Sequence, residues 1–208
     1  MKEKKTTHTT WTTAFIAVLL LTCIVVGCGK QAKDKAVSAS TTAEREAGET
    51  ANGIMNAFAA QDADALDIYL PGSGIGNFVY NDPEGFRMYT EKMSWEITGC
   101  KEETDGMSVV MRVKNVDLVK ILEEHPPKEG EQMPNPTREQ IAQTETMTFV
   151  YAMPLVKTEN GYRFSTDESD PEGSMKRMGE LLNVITGGGY QYLDDLQQDF
   201  AEELQDDI

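Results

Sequence analysis

The most hydrophobic run in this chain lies near its start, from Ala14 to Val26, and it is 13 residues long. A helix crossing the hydrocarbon layer of a membrane needs roughly 20 apolar residues, so this run is short for a permanent span. It follows Lys2, Lys4 and Lys5, opposed only by Glu3, and a polar stretch rich in Thr. A positive start, a short apolar middle and a small residue at the end make the layout of a secretory leader. Residues 1–27 are therefore expected to leave the chain before it works. The next segment, from Gly29 to Thr42, is Lys, Ala, Ser and Thr with hardly any large apolar side chain, the composition of a flexible tether. Residues 43–208 remain for one domain, within the usual size of roughly 100–200 residues.

The leader ends in Val25-Val26-Gly27-Cys28. That tetrapeptide resembles the lipobox of bacterial lipoproteins. The resemblance implies cleavage between Gly27 and Cys28, a diacylglycerol thioether on Cys28, and a protein held on the extracytoplasmic face of the cell membrane. Cys23 lies in the same run but follows Thr22, bulkier than a lipobox accepts before its Cys. The alternatives are an ordinary secretory leader with an incidental Cys28, or an uncleaved anchor helix. After cleavage Cys100 is the one thiol not carrying lipid, which excludes an intramolecular disulfide, and it reads as a small buried hydrophobe. His125 is then the single His, so any Ser-His or Cys-His chemistry would have to use it.

Charge narrows the partners. The full chain carries 19 Lys and Arg against 35 Asp and Glu, a formal charge of -16. Without residues 1–27, which hold three Lys and one Glu, the balance becomes 16 basic and 34 acidic residues, or -18. Such a field repels phosphate backbones, so nucleic acid is not an expected partner, and a basic partner is favoured.

Along residues 43–208 helical signals come first. Ala47, Ala51, Ile54, Met55 and Phe58 recur at spacings of three and four, the stripe of an amphipathic helix. Asp62 can cap a short second helix ending before Pro71-Gly72, and Asp82-Pro83-Glu84 opens a third with the stripe Phe86, Tyr89 and Met93. Strand signals follow. Trp95 to Gly99 and Met107 to Val116 alternate around Asp105-Gly106 and predict a hairpin. A short helix over Asp117–Glu124 leads to a long exposed loop from Pro126 to Thr137. From Thr146 to Val156, Met147, Phe149, Tyr151, Met153 and Leu155 share one face, while Val150, Ala152 and Val156 are expected to fill the other. Asn160-Gly161 marks a turn into Tyr162-Arg163-Phe164. Asp170-Pro171-Glu172-Gly173 repeats the tetrapeptide at Asp82–Gly85 and reads as another helix start, with the stripe Met175, Met178, Leu181, Leu182 and Ile185. Gly187 to Gly189 read as a hinge before a docked last helix bearing Leu193, Leu196, Phe200 and Leu204.

Helices followed by a mostly antiparallel sheet of about four strands define an α+β domain, with the N-terminal helices packed on the sheet and extra helices after it. The stretch from Met55 to Leu66 together with the Gly-aromatic hairpin Asn160-Gly161-Tyr162-Arg163-Phe164 resembles small exported lipoproteins, common in Gram-positive bacteria, with a cystatin-like or nuclear transport factor 2-like fold. The resemblance covers roughly residues 43–166 and implies a cone that can hold a small ligand. It leaves the Pro126–Thr137 loop and the C-terminal helices unaccounted for.

Candidate chemistry is sparse. Gly72-Ser73-Gly74-Ile75-Gly76 follows a helical segment and lacks the Lys of a phosphate loop, so it reads as a flexible connection. Asp167, Glu168, Asp170 and Glu172 are interrupted by Pro171 and have no bidentate Glu at the end of a calcium loop, so helix capping and solvated charge are expected there. His125 has no neighbouring Cys or second His for a metal. Acid–base chemistry inside a cone would fall to Tyr80, Tyr89, Tyr151 or Asp167. The methionines read as adaptable core packing. The expectation is a noncatalytic module, without cofactor or metal, that binds a small apolar ligand or an envelope protein. A cofactor-free lyase or isomerase is the alternative.

Overall fold

Thr41 sets the first helix. Its hydroxyl accepts the Glu44 N–H at 3.2 Å while the Glu44 carboxylate accepts the Thr41 N–H at 2.6 Å, a reciprocal cap that satisfies two N-terminal donors. In the computed structural model, which describes residues 40–126, 136–167 and 169–195, this helix is α1 (Thr42–Ala60). It is followed by α2 (Ala63–Tyr69), α3 (Ile75–Asn81), α4 (Pro83–Thr90), β1 (Ser94–Glu103), β2 (Gly106–Val116), α5 (Leu118–Glu124), α6 (Arg138–Gln143), β3 (Thr146–Thr158), β4 (Gly161–Phe164) and α7 (Pro171–Ile185). Residues 189–195 are helical again. The leader, Cys28, most of the tether, the loop between Pro126 and Pro136, Glu168 and the Leu196, Phe200, Leu204 stripe lie outside the described residues.

Side-chain caps explain most helix starts. Asp62, Asp82, Asp117 and Asp170 each accept the backbone N–H three residues on, at 2.9–3.2 Å. Both Asp-Pro-Glu-Gly tetrapeptides therefore open helices, with Pro in the first turn. Two helices were not expected. α3 starts at Gly74, whose φ of 72° sits in the left-handed region, with the Ser73 hydroxyl accepting the Ile75 N–H at 3.2 Å. α6 is six residues long and buries Ile141 alone. Neither is long enough to display a helical period in sequence.

The sheet is antiparallel throughout, in the order β1-β2-β3-β4. On β2, Met107, Val109, Met111 and Val113 point to the covered face, against Tyr151, Met153 and Leu155 of β3. α1 lies over β1, β2 and β4, and α7 over β2 and β3. Ala47, Ala51, Ile54, Met55 and Phe58 are all buried, as their spacing predicts. Small residues let α1 sit close: a Cβ on Gly53 would run into the Tyr69 ring.

The other sheet face is open at Val150 and Ala152, which corrects the expectation that these residues pack there; Val156 is half-buried. Val150 is 77% exposed and Ala152 faces solvent, while α1 and α7 pack on the side that carries Met111 and Met153. Met175 is likewise 69% exposed rather than part of the α7 stripe, whose buried residues are Leu181, Val184 and Ile185. In the last hairpin Thr158 pairs with Gly161, so the two-residue turn is Glu159-Asn160 and Gly161, with φ of 112°, begins the strand. Pro154 sits inside β3 without an N–H to give. The Ser165 N–H reaches the Pro154 carbonyl at 2.9 Å, and the Ser165 carbonyl, deprived of the reciprocal donor, accepts Arg177 Nε from α7 at 3.0 Å. The proline thus redirects a ladder bond into a sheet-to-helix bond.

Asn115 makes the second such link. It is fully buried on β2, where its Nδ2 donates to the Ile185 carbonyl at 2.7 Å and the Val184 carbonyl at 3.3 Å, and its Oδ1 accepts the Val116 N–H at 2.8 Å. One amide side chain caps the end of α7 and ties it to the strand. The chain then turns through Gly187 and Gly188, with φ of 60° and 87°, and the Leu118 N–H donates to the Gly187 carbonyl at 3.0 Å. These glycines are a packed turn and not a hinge, since a Cβ on Gly187 would collide with the Val116 carbonyl. Asn115→Ala strips buried groups of their side-chain partner and is expected to destabilise the domain by about 2–3 kcal/mol in urea unfolding. Asn115→Asp, which loses the donor and places a carboxylate against two carbonyls, should cost at least as much.

Candidate functional site

The helical layer does not close completely. A cavity of about 300 Å³ remains between α3, α4, α5, the end of α7 and the 189–195 helical segment. α3 contributes Ile75 and Phe78, α4 contributes Phe86 and Tyr89, and α5 contributes Leu118. The far wall is Leu182, Thr186, Gly189, Tyr190 and Leu193. Among the described residues no charged side chain lines the wall. Its volume is at the lower end of small-molecule sites, which usually run from roughly 300 to 1,000 Å³.

Ring packing shapes the α3–α4 side. Phe86 stacks on Phe58 of the core with centroids 5.9 Å apart and planes at 25°. Phe78 and Tyr89 meet Phe86 edge-on, at 6.1 Å and 81° and at 6.4 Å and 72°. Edge-to-face contacts are the favoured geometry for rings with negative faces and positive edges. Phe86 is anchored from behind, while Phe78 and Tyr190 are exposed at the mouth.

The polar atoms of the wall are few. The Thr186 hydroxyl donates to the Leu182 carbonyl at 2.8 Å and accepts the Tyr190 N–H at 3.0 Å, so its hydrogen bonding is committed to the turn. Burial, with a smaller contribution from the Asp82 carboxylate, raises the Tyr89 phenol above its ordinary value, so it stays protonated at neutral pH. Gly189 packs closely on Leu118, whose side chain would have to shift to admit a Cβ there. Two larger depressions flank β4 and share Arg163. One, of about 550 Å³, runs by Asp167 and Ser174, and the other, of about 880 Å³, by Glu46, Glu49, Lys157 and Glu159. Both carry charged groups and lack the dry wall of the aromatic cavity.

The four residues considered for acid–base work are not brought together. Tyr89 lines the cavity. Tyr80, on the solvent side of α3, is 76% exposed. Asp167 is exposed as well, and its Oδ1 accepts the Ser169 N–H at 2.8 Å and the Ser169 hydroxyl at 2.7 Å, bonds that lower its pKa. It is a turn residue and not an enclosed acid. Tyr151 is buried on β3 outside the cavity wall, and its hydroxyl meets no hydrogen-bond partner among the described residues. Burial, then the Glu180 carboxylate, pushes its phenol far up. Among the described residues the buried polar or charged side chains are Thr90 and Asn115, neither a carboxylate.

The remaining candidates fall into structural roles. Cys100 is half-buried rather than enclosed: a bulge between Ile97 and Gly99 sets it opposite Val109, and its thiol donates to the Glu44 carbonyl of α1 at 3.7 Å. Burial and then Glu44 raise that thiol. His125 ends α5 in solvent, with Nδ1 3.3 Å from the Ile121 carbonyl and 3.3 Å from Gln140 Nε2. The Gly72–Gly76 stretch is preceded by helix α2, and Gly76 packs on that helix. Asp170 caps α7 and Glu172 lies in its first turn, while no group of three metal-ligating side chains occurs among the described residues. No helix among the described residues is long and apolar enough to cross a membrane.

Comparison of the chain with protein-family models, with curated proteins and with solved structures finds no match. Sequence reasoning missed Phe78, Thr186 and Tyr190 as site residues. The signal for Phe78 was an aromatic, with Tyr80 two residues on, in a short uncharged stretch after glycines, and none pointed to Thr186. For Tyr151, removing the hydroxyl with Tyr151→Phe should leave thermal stability unchanged or raise it by up to about 2 kcal/mol, since a buried hydroxyl without a partner costs more than it returns.

Proposed function

We propose that this protein is a lipid-anchored extracytoplasmic lipoprotein whose domain is a noncatalytic module binding a small apolar ligand. The anchor reading rests on the charged start, the short apolar run and Val25-Val26-Gly27-Cys28, with Gly27 and Cys28 flanking the cleavage point and Cys28 bearing the lipid. The binding reading rests on one observation, the uncharged aromatic cavity of about 300 Å³ among the helices. An enclosed apolar surface gains roughly 25 cal/mol for each Å² taken from water, so an apolar guest of matching size has a driving force there. The kinship to cystatin-like or nuclear transport factor 2-like lipoproteins is proposed on element order, and here the cavity lies in the helical layer.

A neutral apolar dye, N-phenyl-1-naphthylamine, should bind residues 40–208 with enhanced fluorescence, and Leu182→Trp, which fills the cavity, should weaken that binding at least tenfold. Val150→Trp on the open sheet face is the control of equal size and should not. Dye binding that ignores Leu182→Trp would overturn the site. For the anchor, intact-mass analysis of membranes from a bacterial host should find a chain beginning at Cys28 with a diacylglycerol-sized increment, lost in Cys28→Ala. A soluble chain or a retained leader would sink the lipoprotein reading.

A further inference from the structure

The wall of the cavity has a chemical bias beyond being apolar. Three of its rings, Phe78, Phe86 and Tyr89, line one space, with Phe78 and Tyr89 at 81° and 72° to Phe86. Tyr190 adds a fourth ring from the opposite wall. An aromatic face carries negative quadrupole potential and attracts a desolvated cation held within about 6 Å. Among the described residues no Lys or Arg lines the wall to oppose that field. Asp82, the cap of α4, acts electrostatically on Tyr89, and the chain around it has a formal charge of -16. An anion therefore meets repulsion and no donor set. A neutral guest gains only burial, whereas a weakly hydrated cation gains burial and ring attraction together.

Resting on the binding reading above, we infer that the ligand of the Phe78–Phe86–Tyr89–Tyr190 cavity is an apolar organic cation, an alkyl- or aryl-substituted quaternary ammonium. A primary ammonium is a poorer fit, because it holds its water strongly and the described wall residues include no carboxylate to replace that water. The quaternary centre needs no hydrogen bond, which suits a wall whose Thr186 hydroxyl is already committed to Leu182 and Tyr190. The cationic end rests against the rings and the apolar end against Leu118 and Leu182. Approach is assisted by the acidic surface, an effect that weakens as salt screens it.

The test is competition against N-phenyl-1-naphthylamine on residues 40–208 with three probes of nearly one shape: benzyltrimethylammonium, its uncharged carbon isostere neopentylbenzene, and phenylacetate. Benzyltrimethylammonium should displace the dye at a concentration at least about fivefold below that needed for neopentylbenzene, as ring attraction to a desolvated cation implies. Phenylacetate should not displace it. Phe78→Leu at the exposed mouth and Tyr89→Leu in the wall should each bring the cation and the isostere toward parity, with a urea midpoint read alongside to establish that the variant is folded. If neopentylbenzene competes as well as the cation in the native protein, or phenylacetate competes at all, the ammonium assignment is overturned while the cavity stands. If the dye does not bind, or binds regardless of Leu182→Trp, the cavity reading itself falls and this inference with it.

Discussion

The amide of Asn115 is the interaction on which the arrangement of the helical layer turns. It is fully buried at the end of β2 and holds the last carbonyls of α7, the Val184 and Ile185 carbonyls, while accepting the N–H of Val116. A helix end enclosed in protein leaves acceptors that water cannot reach, so some donor must be provided. Providing it from a strand fixes where α7 stops relative to the sheet. From that point the packed glycine turn and the bond from Leu118 to Gly187 settle where α5 and the 189–195 segment stand. Those elements carry Leu118, Thr186, Gly189, Tyr190 and Leu193, half of the cavity wall. The site is thus downstream of one hydrogen-bonded side chain outside it.

The other half depends on a ring cluster. Phe86 reaches inward to stack on Phe58 of α1 and outward to meet Phe78 and Tyr89, so the aromatic wall is an extension of the main core. A wall built this way is preformed, because Phe86 cannot move without disturbing Phe58. A preformed apolar site avoids part of the ordering cost of binding. Its two halves come from opposite ends of the domain, residues 75–89 and 182–193, with Leu118 between them. Arg177 adds a third tie, taking the Ser165 carbonyl that Pro154 cannot pair and reaching Asp170 at 3.4 Å and the Ser174 hydroxyl at 3.1 Å on its own helix. The asymmetry of the sheet follows from the same layout: α1 and α7 cover one face, and Val150 is left in solvent on the other.

Local physics made much of this legible in the amino-acid sequence. The caps at Asp62, Asp82 and Asp170, the α1 stripe, the alternation of β2 and the inward face of β3 follow from side-chain reach and from the periods of helix and strand. They give an α+β order of elements without tertiary information. Tertiary structure alone decided which sheet face is covered, because Val150 and Ala152 are apolar whether or not a helix lies above them. It also decided the fate of the acid–base candidates. Tyr80 and Tyr89 are chemically alike in sequence, yet one points to solvent from α3 and the other into the helical layer from α4. The cavity had no signature in the chain, since its wall joins residues more than a hundred positions apart through a buried Asn that sequence pattern placed on a strand and gave no role.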